Sequence, residues 1–400
     1  APRLAAMGCM VTVFENPVAQ GAPLLVGRRI EDPTFPTVLI YGHGDVVYGQ
    51  AEEWQEGLDP FVLSADGERY YGRGTADNKG QHLINIAALE TVLAVRGSLG
   101  FNVTFLMEMS EETGSTGLKA FCAAQSALLA ADVLIASDGP RVAPEVPTIF
   151  LGSRGVVNFE VQVNLRDGAR HSGNWGGLLR DPGVILAQAL ASITDARGQV
   201  QVPEWRPVSL NDAVKADLAV LPVKEAEEWN ETDLSPAERV FGWNSFAVLA
   251  LECGDPIEPQ NAIQGSARAV CQLRFVAGTP EDDILPALQR HLDQHGFAEV
   301  QVLACGTVGP ATRQDRDNDW VKLVERSLRQ TSGHDPHVLP NLAGWIPNHC
   351  FSDVLGMPTV WVPHSYAGCS QHAPGEHVLK SVCRDALRGM VGVFWDIGKS

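Results

Sequence analysis

Carboxylates and histidines recur in this 400-residue chain just after short apolar runs. His43 and Asp45 follow Thr37 to Tyr41, Glu111 and Glu112 follow Asn102 to Met109, and Asp138 follows Val133 to Ala136. Asp77 stands in Gly72-Arg73-Gly74-Thr75-Ala76-Asp77-Asn78-Lys79-Gly80, and His372 in Ser370-Gln371-His372-Ala373-Pro374-Gly375-Glu376. Imidazole and carboxylate donors together suit zinc, or less selectively manganese or cobalt. Each element alone is weak: an isolated His-x-Asp is usually a structural hydrogen bond, and an Asp after a strand often caps a helix. The Gly72/Gly74 stretch is no dinucleotide loop, because Asp77 stands where the third glycine of G-x-G-x-x-G belongs, and it lacks the G-K-[ST] of a phosphate loop. Three carboxylate sites and two histidines, all at predicted strand ends, read as one metal-binding edge.

The elements that must carry them alternate. Met10 to Phe14, Pro23 to Val26, Thr37 to Tyr41, Asn102 to Met109 and Val133 to Ala136 read as strands. Lys79 to Val95 and Gly117 to Ala130 read as helices. This predicts an α/β domain whose mostly parallel sheet is flanked by helices, with ligands outside the carboxyl ends of the strands. Near Gly152 the texture changes: strands at Val156 to Val163, Phe246 to Glu252 and Ser266 to Val276, helices at Val184 to Ile193 and Pro280 to His295, and a polar stretch from Arg197 to Leu234. These predict a smaller α+β domain. From Asp317 the α/β texture returns, with a helix to Arg329, a strand at Pro358 to Val362 and a closing helix from Val378 to Phe394. The expected organisation is one α/β domain of residues 1–150 and 310–400, interrupted by a second of 151–309.

Lys plus Arg number 30 and Asp plus Glu 48, a net charge of −18. Such a chain repels phosphate backbones and anionic lipid, which argues against nucleic-acid or membrane partners. No apolar run reaches the roughly 18 residues of a membrane span, and the first residues lack the pattern of an export signal. The eight cysteines include no C-x-x-C pair, so they read as reduced thiols of a cytoplasmic protein.

Together, Gly42-His43-Gly44-Asp45-Val46-Val47, the Gly72–Gly80 stretch, Ser110-Glu111-Glu112-Thr113-Gly114-Ser115 and Gln371-His372-Ala373-Pro374-Gly375-Glu376 resemble the M20 metallopeptidases, from about residue 10 to the C-terminus. The resemblance implies two divalent metal ions, with Asp77 bridging them, His43 and Asp138 completing one site, and Glu112 and His372 the other. It implies that Asp45 orients His43 and that Glu111 is the general base. The middle domain is similar to the family's lid and dimerisation domain. Its loop His171-Ser172-Gly173-Asn174-Trp175-Gly176-Gly177 resembles that of the carnosinase-like dipeptidases, where the histidine reaches across a homodimer to polarise the scissile carbonyl. Asn261 and Arg274 match lid positions that contact substrate.

The expected activity is hydrolysis of a dipeptide-like amide bond by metal-activated water. The alternative on the same scaffold is deacylation of N-acetyl or N-succinyl amino acids. Asp138, where the family's deacylases more often carry Glu, favours peptides. The loop Leu342-Ala343-Gly344-Trp345-Ile346-Pro347 departs from the Gly-Gly-Ser-Ile-Pro-like loop of carnosinase relatives. Gly344 and Trp345 are therefore candidate substrate contacts, with Trp345 reshaping the pocket toward a bulkier substrate.

Overall fold

The computed structural model describes residues 1–224 and 233–399. Residues 225–232, within the polar stretch noted above, and residue 400 lie outside the described residues. In chain order the principal strands are β1 (Met10–Phe14), β2 (Leu24–Arg29), β3 (Thr37–His43), β4 (Asn102–Glu108), β5 (Val133–Ala136), β6 (Thr148–Phe150), β7 (Gly155–Asn164), β8 (Ser245–Glu252), β9 (Ser266–Phe275), β10 (Val300–Gly309), β11 (His337–Leu339) and β12 (Thr359–Trp361). The chain divides into two compact units. The first is Ala1–Ser153, Val220–Pro222 and Thr312–Ser400, and the second is Arg154–Ala219 and Val223–Ala311.

The first unit holds an eight-stranded sheet in the order β1-β2-β4-β3-β5-β12-β6-β11. Its centre, β4-β3-β5-β12, is parallel, while β1, β2 and β4 pair antiparallel. The short link between β1 and β2 leaves no room for a crossover helix, so an antiparallel edge is the expected geometry there. Strands β4 and β5 are buried along their whole length, as parallel strands covered on both faces must be. Val38 and Ile40 of β3 join a core with Ile86, Leu89 and Val92 of the helix Lys79–Arg96, Val321 and Val324 of Asp319–Ser332, and Met390 and Phe394 of Lys380–Ile397. Tyr41 instead packs edge-on against Phe351 and Trp361, at 5.1 and 5.7 Å between ring centroids. Full burial of side chains this size is worth roughly 1.5–3 kcal/mol each, which fixes β3 and hence the position of His43 at its end.

The second unit is an antiparallel sheet, β8-β9-β7-β10. Helices Pro182–Ile193 and Ile284–Gln294 share a core with alternate residues of β7 and β9 (Phe159, Val161, Val163, Ala269, Cys271, Leu273), and Trp205 is sealed into it.

Several elements differ from the sequence reading. The helix expected from Gly117 to Ala130 is two, Leu118–Ala124 and Ser126–Leu129, because Gln125 leaves helical geometry at φ −110°, ψ 24°. The polar Arg197–Leu234 stretch contains the helix Asp212–Ala219. Strands β6, β10 and β11 were not expected. β6 and β11 have three residues each, too few to show a period, and β10 carries glycines at 306 and 309, a residue depleted in strands. No described helix is long and apolar enough to cross a membrane, and all eight cysteines are free thiols.

Candidate active site

The parallel strands deliver their carboxyl ends to one place. His43 closes β3 opposite Glu108, the last residue of β4. Glu111 and Glu112 occupy the single 3-10 turn that follows β4, and Asp138 lies two residues beyond β5. Asp77 is brought in by the loop before helix Lys79–Arg96. That loop passes so close to the helix that a Cβ on Gly80 would lie 2.0 Å from the Thr75 carbonyl oxygen, so only glycine fits.

Asp77 divides its two oxygens between the two histidines. Oδ1 lies 3.0 Å from His43 Nε2 and Oδ2 lies 2.9 Å from His372 Nε2. Asp138 Oδ2 is 3.6 Å from His43 Nε2, and Glu112 Oε2 is 3.1 Å from His372 Nε2. Glu111 points the other way from its neighbour: its Oε2 is 4.0 Å from His43 Nε2. Asp45 ties the two halves together, with Oδ1 3.3 Å from His43 Nδ1 while Oδ2 accepts the Glu112 N–H at 3.0 Å. His43 is fully buried, whereas the His372 side chain is 54% exposed, so the site opens to solvent on the His372 side. His372 adopts φ +61°, a left-handed conformation that costs a non-glycine residue about 1 kcal/mol or more.

The electrostatics are those of crowded acids. Burial, reinforced by the charges of Asp138, Asp77 and Glu108, holds the Glu111 carboxyl well above its ordinary range, although His43 opposes this. Burial and Asp77 raise Asp138. Burial alone would raise Asp77 as well, but hydrogen bonds from His372, His43 and Gln371 outweigh it and lower its pKa. Burial alone would lower His43, but hydrogen bonds to Asp138, Asp45 and Asp77 outweigh it and raise it well above the usual value. Hydrogen bonds to Asp77 and Glu112 push His372 up to about 10.

This donor set fits a metal. Donor atoms of His43, Asp77 and Glu112 lie within 4.8 Å of one another. The 3.0 and 3.6 Å separations about His43 bracket the roughly 3.4 Å edge of a tetrahedron with zinc–ligand bonds near 2.1 Å. Glu112 Oε1 is buried with no hydrogen-bond partner, which is costly unless a cation satisfies it.

The other expected residues lie elsewhere in the chain. Leu342 packs on Gly139, the residue after Asp138, with a methyl 2.8 Å from where a Cβ would stand. The loop bearing Gly344 and Trp345 therefore starts beside the site, and the Trp345 indole Nε1 is buried without a partner. His171 and Asn261 are neighbours in the second unit: His171 pairs with Ala262, and the Ser172 N–H donates to the Asn261 carbonyl at 2.9 Å. His171 is exposed. Arg274 is not with them. It lies eight residues along β9 from Ser266, about 26 Å at 3.3 Å per residue.

Sequence reasoning missed the polar groups beneath the site. Glu108 is fully buried and accepts from Tyr41 (2.6 Å), Ser115 (2.9 Å) and Ser110 (3.0 Å), bracing the Glu111–Glu112 turn. Asn78 donates to the Ser137 carbonyl at 2.7 Å, and the Gln371 amide donates to Asp77 Oδ2.

Residues 39–395 match Peptidase family M20/M25/M40. The chain belongs to that family. It is a hydrolase acting on peptide bonds. It is 35% identical over 377 residues to the Beta-Ala-His dipeptidase of Rattus norvegicus, covering 89% of this chain and 76% of that protein. It is 27% identical over 347 residues to the cysteinylglycine-S-conjugate dipeptidase of Corynebacterium striatum, covering 84% and 75%. Among solved structures, the M20 family metallo-carboxypeptidase Sso-CP2 of Sulfolobus solfataricus shares the fold, with a TM-score of 0.85 at 24% identity over 100% of this chain and 92% of that one.

Proposed function

We propose that this M20 peptidase is a dinuclear dipeptidase. The observation that carries the reading is Asp77, whose two oxygens address His43 and His372 separately. His43, Asp77 and Asp138 would hold one divalent ion and His372, Asp77 and Glu112 the other, with zinc best suited to this donor set. Such ions supply Lewis acidity, acidifying water and polarising a carbonyl. Glu111 takes the water proton and passes it to the leaving nitrogen, a role suited to the one carboxylate of the cluster that stands off from both histidines. Asp45 fixes the His43 tautomer.

The second unit acts as lid and dimerisation domain. The spacing within it bears on how. An extended dipeptide spans about 7 Å, and Arg274 stands near the far end of β9 from Ser266, the residue five positions after Asn261, so we read His171 with Asn261 and Arg274 as serving different substrates. Reciprocal supply in a homodimer accounts for this, with Arg274 pairing a substrate carboxylate and His171 stabilising the oxyanion in the partner's site. Strand β8 ends its sheet and exposes Val248, Leu249 and Leu251, an edge suited to a second copy. Mixing inactive E111Q and H171A proteins should restore about a quarter of wild-type activity after subunits exchange, since half the dimers then carry one intact site. No recovery, from dimers shown to have exchanged, would refute the trans role.

Relatives named as dipeptidases support dipeptides over N-acyl amino acids. A panel of dipeptides against N-acetyl and N-succinyl amino acids, on metal-loaded protein, should give kcat/KM at least tenfold higher for the best dipeptide. Preference for an N-acyl substrate would overturn the assignment. The free thiols suit a reducing compartment, the cytoplasm.

A further inference from the structure

Four residues after His372, the chain turns a fully buried carboxylate back beneath the loop that carries Asp77. Glu376 Oε1 accepts the backbone N–H groups of Ala76 at 2.9 Å and of Asp77 at 3.0 Å. The Gly74 N–H reaches both oxygens, at 3.0 and 3.1 Å. Oε2 is 2.8 Å from Arg73 Nη1, and both side chains are only 1% exposed. Even the Glu376 carbonyl is engaged, accepting the Gly72 N–H at 3.0 Å. Successive N–H groups turned inward on one anion form a nest, and Gly74, at φ +88°, supplies the left-handed residue such a turn needs.

We propose that Glu376 is a positioning residue. By holding the Asp77 N–H and those on either side of Thr75, it sets the Asp77 carboxylate between the two metal positions, and it locks this loop to the one carrying His372. The inference rests on reading Asp77 as the bridging ligand. The physical reason is that three convergent N–H donors fix the loop's rotation, whereas one hydrogen bond would leave it free to swing. A shift of about 0.5 Å at a ligand is enough to spoil a metal site. Without the carboxylate, three buried donors and the Arg73 guanidinium lose their shared partner.

The test compares wild type with Glu376→Gln, which keeps the shape but turns an NH2 toward Arg73 or the nest, and Glu376→Ala, which removes the anchor. Each is stripped by chelator, titrated with Zn2+ against a chromophoric competitor, and melted with and without metal. Glu376→Gln should bind zinc 10- to 100-fold more weakly, the range for outer-shell partners of metal ligands, and the gain in Tm on adding zinc should shrink. Excess zinc should recover part of kcat. If Glu376→Gln lowers the metal-free and metal-loaded Tm equally and binds zinc within twofold of wild type, Glu376 merely stabilises the fold and the proposal fails. Should Glu376→Ala fail to fold, the Gln variant decides. A wild-type protein that binds two zinc ions but cleaves no dipeptide would refute the proposed function and leave this inference to stand or fall on the titration. A wild type that binds no metal would overturn both.

Discussion

Glu111→Gln should lower kcat for a good dipeptide by about 10³-fold or more, near the upper end of what a general base contributes, while two metal ions remain bound. Both halves of that result follow from the geometry. The Glu111 carboxylate lies 4.0 Å from His43 Nε2, whereas Asp77 and Asp138 approach it to 3.0 and 3.6 Å. Glu111 is thus within the cluster without belonging to its shortest contacts. Gln is isosteric and keeps the turn that Glu108 braces through Ser110 and Ser115, so its neighbours need not move. What it lacks is a lone pair basic enough to take a proton from water and return it to an amine. The neighbouring change Glu112→Gln is the control. Its Oε2 contacts His372 at 3.1 Å and its Oε1 is buried without a partner, so this variant should lose metal as well as rate. Steady-state kinetics at saturating zinc, with metal content measured on the same samples, separates the two. An E111Q enzyme within tenfold of wild-type kcat would remove Glu111 from the role of base.

Four of the site residues legible in the sequence share one property: each stands where an apolar run stops. His43 ends a buried strand and Glu111, Glu112 and Asp138 follow buried strands, and a buried strand is visible in one dimension because its residues are mostly apolar. Asp77 and His372 were legible only through the motifs around them, since a loop has no period. The groups beneath were hidden for a different reason. Glu376 meets Asp77 across 299 residues of sequence, and nothing local distinguishes a carboxylate that will be buried in a nest from one left in water. Glu108 reads as the polar end of a strand, yet it is fully buried because Tyr41, Ser110 and Ser115 converge on it. The signal that could have exposed Glu376 was its place in the same six-residue stretch as His372. For the fold, the parallel centre of the sheet followed from alternating strands and helices. Short strands such as β6 and β11 owe their existence to neighbours already in place, which no local pattern encodes.

Asp77→Ala should cost more than any other single change at the site: fewer than one tightly bound metal ion per chain and no measurable dipeptide turnover. The reason is topological. Asp138 serves only the His43 side and Glu112 is paired with His372, so Asp138→Ala or Glu112→Ala should each weaken mainly one position and leave the other able to bind. Among the described residues Asp77 alone touches both histidines, one oxygen to each, and its removal takes a ligand from both positions at once. The loss should therefore exceed the 10- to 100-fold typical of outer-shell substitutions and should not be recovered by excess zinc, unlike that of Glu376→Gln. Metal analysis after dialysis, for the three alanine variants side by side, gives the comparison. If Asp77→Ala keeps two ions through dialysis, the ions do not share Asp77. If it loses one and keeps the other tightly, Asp77 is a terminal ligand of a single site and the two histidines act separately.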